Sequence, residues 1–280
     1  MASLPAGRER GATPLPDRAS RLADLRARGV RGGIIPPHRA MVGMAIPRTT
    51  ILIATVLGLG GAVAVVAALN PLAELWARAF EALAGPLGIP GGVAMQGTSV
   101  LGLHTLQTPF YLLQAAPPSA LMLRNVAIVA GLLLLATIVV PQRFVPLRYF
   151  LRFLILLQGI SLGYFALAPA GGFPYTLPSY VAGLVGMGQV VLVLLPVILA
   201  ITYYLFDISW ARKLLLSILL LGHLAVMIPL QATVHAWLIA RGSLLFLPPL
   251  FLVFGILVHV LVFVAFYGWG MSWPSARRRA

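Results

Sequence analysis

Residues 180–206 read YVAGLVGMGQVVLVLLPVILAITYYLF, 27 positions without a charged side chain. As a helix rising 1.5 Å per residue this segment is about 40 Å long, enough to cross a hydrocarbon layer of roughly 30 Å. Asp207, Arg212 and Lys213 close it. Working outward, five further runs qualify as spans: 51–69, 121–140, 150–168, 214–240 and 243–268. Pro196 lies inside 180–206 and Pro229 inside 214–240, and each predicts a kink.

Composition agrees. Hydrophobic residues make up 60% of the 280 positions and charged residues 9%, against about 45–50% and 25% in soluble domains. Mean hydropathy is +0.97. So few charges cannot cover the surface of a soluble globule, and the expected fold is an all-α polytopic bundle of six spans. Cysteine is absent, which removes disulfides, thiolate metal sites, iron–sulfur clusters and cysteine nucleophiles.

The net charge of +14 could suggest nucleic acid, but the placement of the basic residues points to membrane topology. With the N-terminus inside, seventeen of the twenty Lys and Arg fall in inner segments, and only Arg78, Arg124 and Arg241 lie outside. That asymmetry predicts both termini in the cytoplasm. Trp76 falls in the segment 72–84 outside the spans, and Trp210, Trp237, Trp269 and Trp273 fall at or beyond span ends, as an aromatic belt requires. The Arg-rich, Lys-poor, Ala/Gly/Pro-heavy usage suits a high-GC bacterial genome, and a bacterial source places the expected location in the inner membrane. The basic ends predict contact with anionic lipids in the bilayer, and nucleic acid is set aside as a partner.

Residues 1–48 show no sustained apolar period and are expected to form a disordered cytoplasmic tail, with a weak helical tendency over Asp17–Arg28. Met41 and Met44 are alternative starts. Residues 275–280 form a second basic tail. The first span, preceded by Arg48, could be a signal peptide cleaved near Ala62-Val63-Ala64, but its length favours an uncleaved helix.

Asn70-Pro71 has the form of a helix cap followed by proline at the first helical position. Over 72–84, Glu74, Arg78 and Glu81 share one face while Leu75, Trp76, Ala79, Phe80 and Leu83 cover the other. This predicts an amphipathic interfacial helix ended by Gly85-Pro86. Residues 87–119 are uncharged, rich in Gly, Pro, Gln and Thr, and apolar on average. They are expected to form a long apolar loop on the outer side, packed on the bundle or dipping into the bilayer. Residues 97–118 are the part of it that could be re-entrant.

All six acids, Glu9, Asp17, Asp24, Glu74, Glu81 and Asp207, lie outside the centres of the spans. That argues against a proton antiporter or divalent-metal transporter using intramembrane carboxylates. Four histidines remain as candidates. His223 and His259, each about nine residues from the inner end of its span, could share one depth. There a pair of imidazoles could ligate haem b, hold a quinone headgroup or relay a proton. The structural alternative is two neutral imidazoles bonded to carbonyls, Ser217 or Gln231. No metal site or resident cofactor is expected.

His235 follows Gln231 by one helical turn and, with His104, is a candidate for an outward polar site. Tyr111 and Gln114 of the long loop, with Gln231, complete the expected cavity lining. Gln158, Ser161 and Gln189 are expected to hydrogen-bond between helices. Gly58–Ala62 and Ala182–Gly186 have the small-residue spacing of close helix contacts.

No Walker loop, nucleophile elbow, His-Glu-x-x-His motif or internal repeat is present. The leading expectation is a non-catalytic subunit or assembly factor partnered with other membrane proteins. The alternatives are a facilitator for an uncharged or lipidic substrate, and an intramembrane redox or lipid-modifying enzyme built on His223 and His259.

Overall fold

The computed structural model describes residues 48–100, 104–168, 172–203 and 210–272. The expected N-terminal tail, the 17–28 helix, the alternative starts and the C-terminal tail lie outside the described residues. The elements are α1 (Arg48–Leu87), strands β1 (Val93–Val100) and β2 (His104–Tyr111), α2 (Ala120–Val139), α3 (Val145–Leu167), α4 (Leu177–Thr202) and α5 (Trp210–Arg241). They are followed by α6 (Leu247–Phe251) and α7 (Leu257–Met271), joined through a π-helical turn, Leu252–Ile256, into one span. Six helical stretches among the described residues are long and apolar enough to cross a membrane. Large apolar side chains such as Leu52, Leu59, Leu132, Leu135, Leu156 and Ile160 stand exposed along them. Surfaces of that kind need lipid as their solvent, and the chain is an integral membrane protein.

The bundle is organised around α4, which packs against α1, α5 and β2. Its buried face, including Leu177, Val181, Leu184 and Leu192, meets Leu69, Trp76 and Phe80 of α1 and Leu220 and Ile228 of α5. The α2–α3 pair stands to the side and touches the start of the sixth span. Between lipid-solvated helices the driving force is close packing rather than expulsion of water, and glycine supplies it. A Cβ on Gly58 would lie 2.9 Å from the Ala200 Cβ, and one on Gly61 would lie 2.9 Å from the Pro196 Cβ. Gly58 and Gly61 both sit at this contact. On α4, Gly188 presses against Ile228, while Gly186 meets nothing within 4 Å.

Two expectations are corrected. The segment 72–84 is helical with Glu74, Arg78 and Glu81 exposed, but it continues α1 through Pro71 instead of starting afresh. At 40 residues, α1 is about 60 Å long, twice the hydrocarbon thickness. It ends not at Gly85-Pro86 but at Gly88, whose φ of +62° is left-handed. The Ile89 N–H donates to the Ala84 carbonyl at 2.9 Å and the Gly88 N–H to the Gly85 carbonyl at 3.0 Å, a glycine-terminated C-cap. Trp76 is 2% exposed, a core residue rather than part of an aromatic belt.

The second correction concerns 87–119. Where an irregular loop is expected, β1 and β2 pair antiparallel, with Val93 opposite Tyr111 and Gly97 opposite Gln107. The edge of β2 away from β1 is satisfied by two side-chain amides. Asn70 Nδ2 donates to the Thr105 carbonyl at 3.0 Å, and the Gln107 N–H donates to Asn70 Oδ1 at 3.0 Å. Gln189 Nε2 donates to the Gln107 carbonyl at 2.8 Å, and its Oε1 accepts from the Thr108 hydroxyl at 3.0 Å. Asn70 therefore pairs with a strand instead of capping a helix. Gln189, midway along α4, bonds the hairpin instead of another helix.

Candidate functional site

Among the described residues, two of the cavities between the helices are lined by candidate residues or polar side chains. The larger is a laterally open cleft of about 480 Å³ between α2–α3 and the α5–α6 region. Val129 and Ala130 of α2 and Ile155 of α3 line one side; Phe246, Leu250 and Phe254 line the other. Gln158 and Arg241 are its polar members. Gln158 Nε2 donates to the Leu245 carbonyl at 3.4 Å, and the Ser161 hydroxyl donates to the same oxygen at 2.8 Å. These bonds tie α3 to the start of the sixth span. Arg241 is exposed in the last turn of α5. It donates one long hydrogen bond, 3.4 Å to the Leu87 carbonyl, and no carboxylate of the described residues pairs with it.

The wall formed by the sixth span is broken. Gly255 has φ −87° and ψ −111° inside the π-helical turn, so carbonyls around it lack helical partners. Gln231 of α5 fills that gap: its Nε2 donates to the Phe254 carbonyl and, at 3.2 Å, to the Gly255 carbonyl.

The second cavity, about 200 Å³, lies between α4, α5 and α7. Leu195, Ile198, Leu224 and Phe263 form apolar walls, and both His223 and His259 line it. The two helices thus bring the imidazoles to one cavity. Nε2 of His223 and Nδ1 of His259 are buried with no hydrogen-bond partner.

The remaining candidates sit elsewhere. His235 is buried, with Nδ1 2.7 Å from the Tyr180 hydroxyl and the two rings stacked at 6.0 Å. Tyr111 is buried and stacks on Phe80 at 4.7 Å. Its hydroxyl lies 3.1 Å from the Thr233 hydroxyl and 3.4 Å from the Phe80 carbonyl. Burial pushes the Tyr111 phenol above its ordinary range, with the Thr233 hydrogen bond pulling the other way. Gln114 is exposed. The His104 side chain is outside what is described; its backbone closes the hairpin opposite Val100. None of Tyr111, Gln114, Gln231 or His235 lines either cavity. Among the described residues no three His, Asp or Glu side chains gather as a metal site would require.

Reading the sequence as a string of spans missed the cleft and Arg241. A lone arginine at a span end is an ordinary topological mark, and the α2 and α3 residues facing it carry no polar signal beyond Gln158. Compared with protein-family models, curated proteins and solved structures, the chain matches none.

Proposed function

We propose that this integral membrane protein is a facilitator for a lipidic substrate, which it takes sideways from the bilayer into the cleft between α2–α3 and α5–α6. The observation that carries this reading is one apolar cleft with one arginine at its edge. A cleft of about 480 Å³ lies within the range of pockets that enclose a ligand. Its walls suit acyl or prenyl chains, and the Arg241 guanidinium, with no carboxylate partner among the described residues, suits a phosphate or carboxylate headgroup. The broken helix beside Phe254 supplies a wall able to shift as the ligand enters. In this reading both termini face the cytoplasm of a bacterium, and Arg241 sits at the outer headgroup level of the inner membrane. The subunit or assembly-factor reading rests on the lack of catalytic motifs, and it leaves the cleft without a role.

The test is titration of purified protein in mild detergent with phosphatidylglycerol and with phosphatidylcholine, followed by native mass spectrometry. Wild type is expected to prefer the anionic lipid about fivefold, the equivalent of about 1 kcal/mol per basic contact near a membrane surface. Arg241→Gln should erase the preference, and Ala130→Trp, which fills the cleft from α2, should weaken both lipids. Unchanged binding of both lipids by Ala130→Trp would sink the reading.

A further inference from the structure

The His223–His259 cavity is separate from the cleft and has its own chemistry. A buried polar atom without a partner costs about 1–3 kcal/mol, and such atoms in native proteins call for an explanation. Here there are two, His223 Nε2 and His259 Nδ1, on two helices lining one otherwise apolar space. His259 is 9% exposed. The histidine ring torsion is soft and two-fold, so a ring turn presents either nitrogen to the cavity. A neutral imidazole offers one N–H donor and one acceptor, so the pair can serve a carbonyl oxygen and a hydroxyl alike.

Size and charge narrow the ligand. At about 200 Å³ the space is below the roughly 300–1,000 Å³ of pockets for drug-sized ligands, which suits a single ring and is too small for a porphyrin. A carboxylate or phosphate has no cation here, since the lining is aliphatic and aromatic apart from the two histidines. The ligand that suits this lining is uncharged and apolar in body, with oxygens that can meet nitrogens from two helices. It must also reach the cavity through the bilayer. We infer that this cavity binds the headgroup of a membrane quinone, held between His223 and His259, with Leu195 and Phe263 against the ring.

The test is calorimetric titration of the full-length protein, in detergent, with a benzoquinone carrying one isoprene unit. One-to-one binding is expected in the wild type. His223→Phe and His259→Phe should each weaken it at least tenfold, while His259→Gln, which keeps a donor and an acceptor, should retain most of it. In infrared difference spectra the bound quinone's carbonyl stretch should move to lower frequency in the wild type and return in the double Phe variant. Phosphatidylglycerol binding at the Arg241 cleft should be unchanged in all variants, which shows them folded and separates this result from the lipid reading. Absence of binding to wild type would overturn the inference. So would equal binding by the double variant, since the two nitrogens would then be served by a bridging water alone.

Discussion

The indole N–H of Trp76 on α1 donates to the carbonyl oxygen of Ala225 on α5, 2.8 Å away. Ala225 lies four residues before Pro229, the position whose carbonyl loses its helical partner when the acceptor's usual N–H is replaced by a proline ring. The kink in α5 thus creates an orphan acceptor, and a side chain 149 positions away in sequence fills it. The same device recurs in the sixth span, where Gln231 serves the carbonyls of the π-helical turn. In both places a backbone irregularity within the membrane is repaired by a neighbouring helix, as the absence of water there demands.

Trp76→Phe should therefore lower stability by about 1–3 kcal/mol through the unpaired carbonyl, in addition to the lost volume. Pro229→Ala restores an N–H for the Ala225 oxygen, so the hydrogen-bond part of the Trp76→Phe penalty should vanish in that background. Unfolding of all four forms gives the coupling, expected at about 0.5–3 kcal/mol. A coupling of zero would mean the indole contributes packing alone.

Gln231→Leu should uncover the Phe254 and Gly255 carbonyls and cost about 1–3 kcal/mol. Because Phe254 also lines the cleft, lipid binding should weaken along with stability. Hydrogen exchange at residues 250–260 should accelerate more than elsewhere. Uniform acceleration along the chain would point to global destabilisation without local release.

The spans were legible because run length and charge placement depend on the bilayer, and the bilayer imposes one simple rule on every helix. The hairpin was not. Val93–Val100 and His104–Tyr111 alternate weakly in polarity, and Pro109 within the second run argues against a strand. Its tolerance depends on a fact outside the local sequence. Thr105 and Gln107 turn their bonding groups toward Asn70 and Gln189, so Pro109, two residues on, has its missing N–H on the edge that β1 does not use. Asn70-Pro71 misled for a similar reason: the cap residue's amide was committed to a partner 35 positions away. The histidine pair was readable from depth alone, whereas the cleft depends on how the α2–α3 pair leans on the sixth span.

Glycine at the α1–α4 contact offers a paired test. Gly58→Ala forces a Cβ to 2.9 Å from the Ala200 Cβ, whereas Gly60→Ala meets nothing within 4 Å. The first should destabilise by about 1–3 kcal/mol through overpacking. The second should be neutral or add up to about 1 kcal/mol, since alanine is the better helix former. Equal effects in thermal melts would mean that α1 and α4 are not in close contact there.

Tyr203, one residue past α4, is buried and pairs with the Lys213 segment: its hydroxyl donates to the Lys213 carbonyl at 2.8 Å and lies 2.7 Å from the Ser217 hydroxyl. Tyr203→Phe removes one partner of the Lys213 carbonyl and of the Ser217 hydroxyl and should lower stability by about 1–3 kcal/mol. In a Ser217→Ala background that penalty should shrink, and unfolding of all four forms gives the coupling, expected at about 0.5–3 kcal/mol. A coupling of zero would mean that the phenol contributes packing alone.

Asn70 and Gln189 act on neighbouring groups of one strand edge, and their effects should not add. Replacing either by leucine leaves one side of the Gln107 peptide groups unpaired, while the remaining amide still pins the strand. Each single change should cost about 1–3 kcal/mol and leave the hairpin protected from exchange. With both replaced, neither amide holds the β2 edge, and a two-stranded hairpin is marginal by itself. Amides of 93–111 should then exchange many-fold faster while those of α4 and α5 stay protected. If the double variant exchanges no faster in the hairpin than the singles, the strands are held by burial of Tyr111 and its neighbours, and the two amides serve only their own hydrogen-bonding needs.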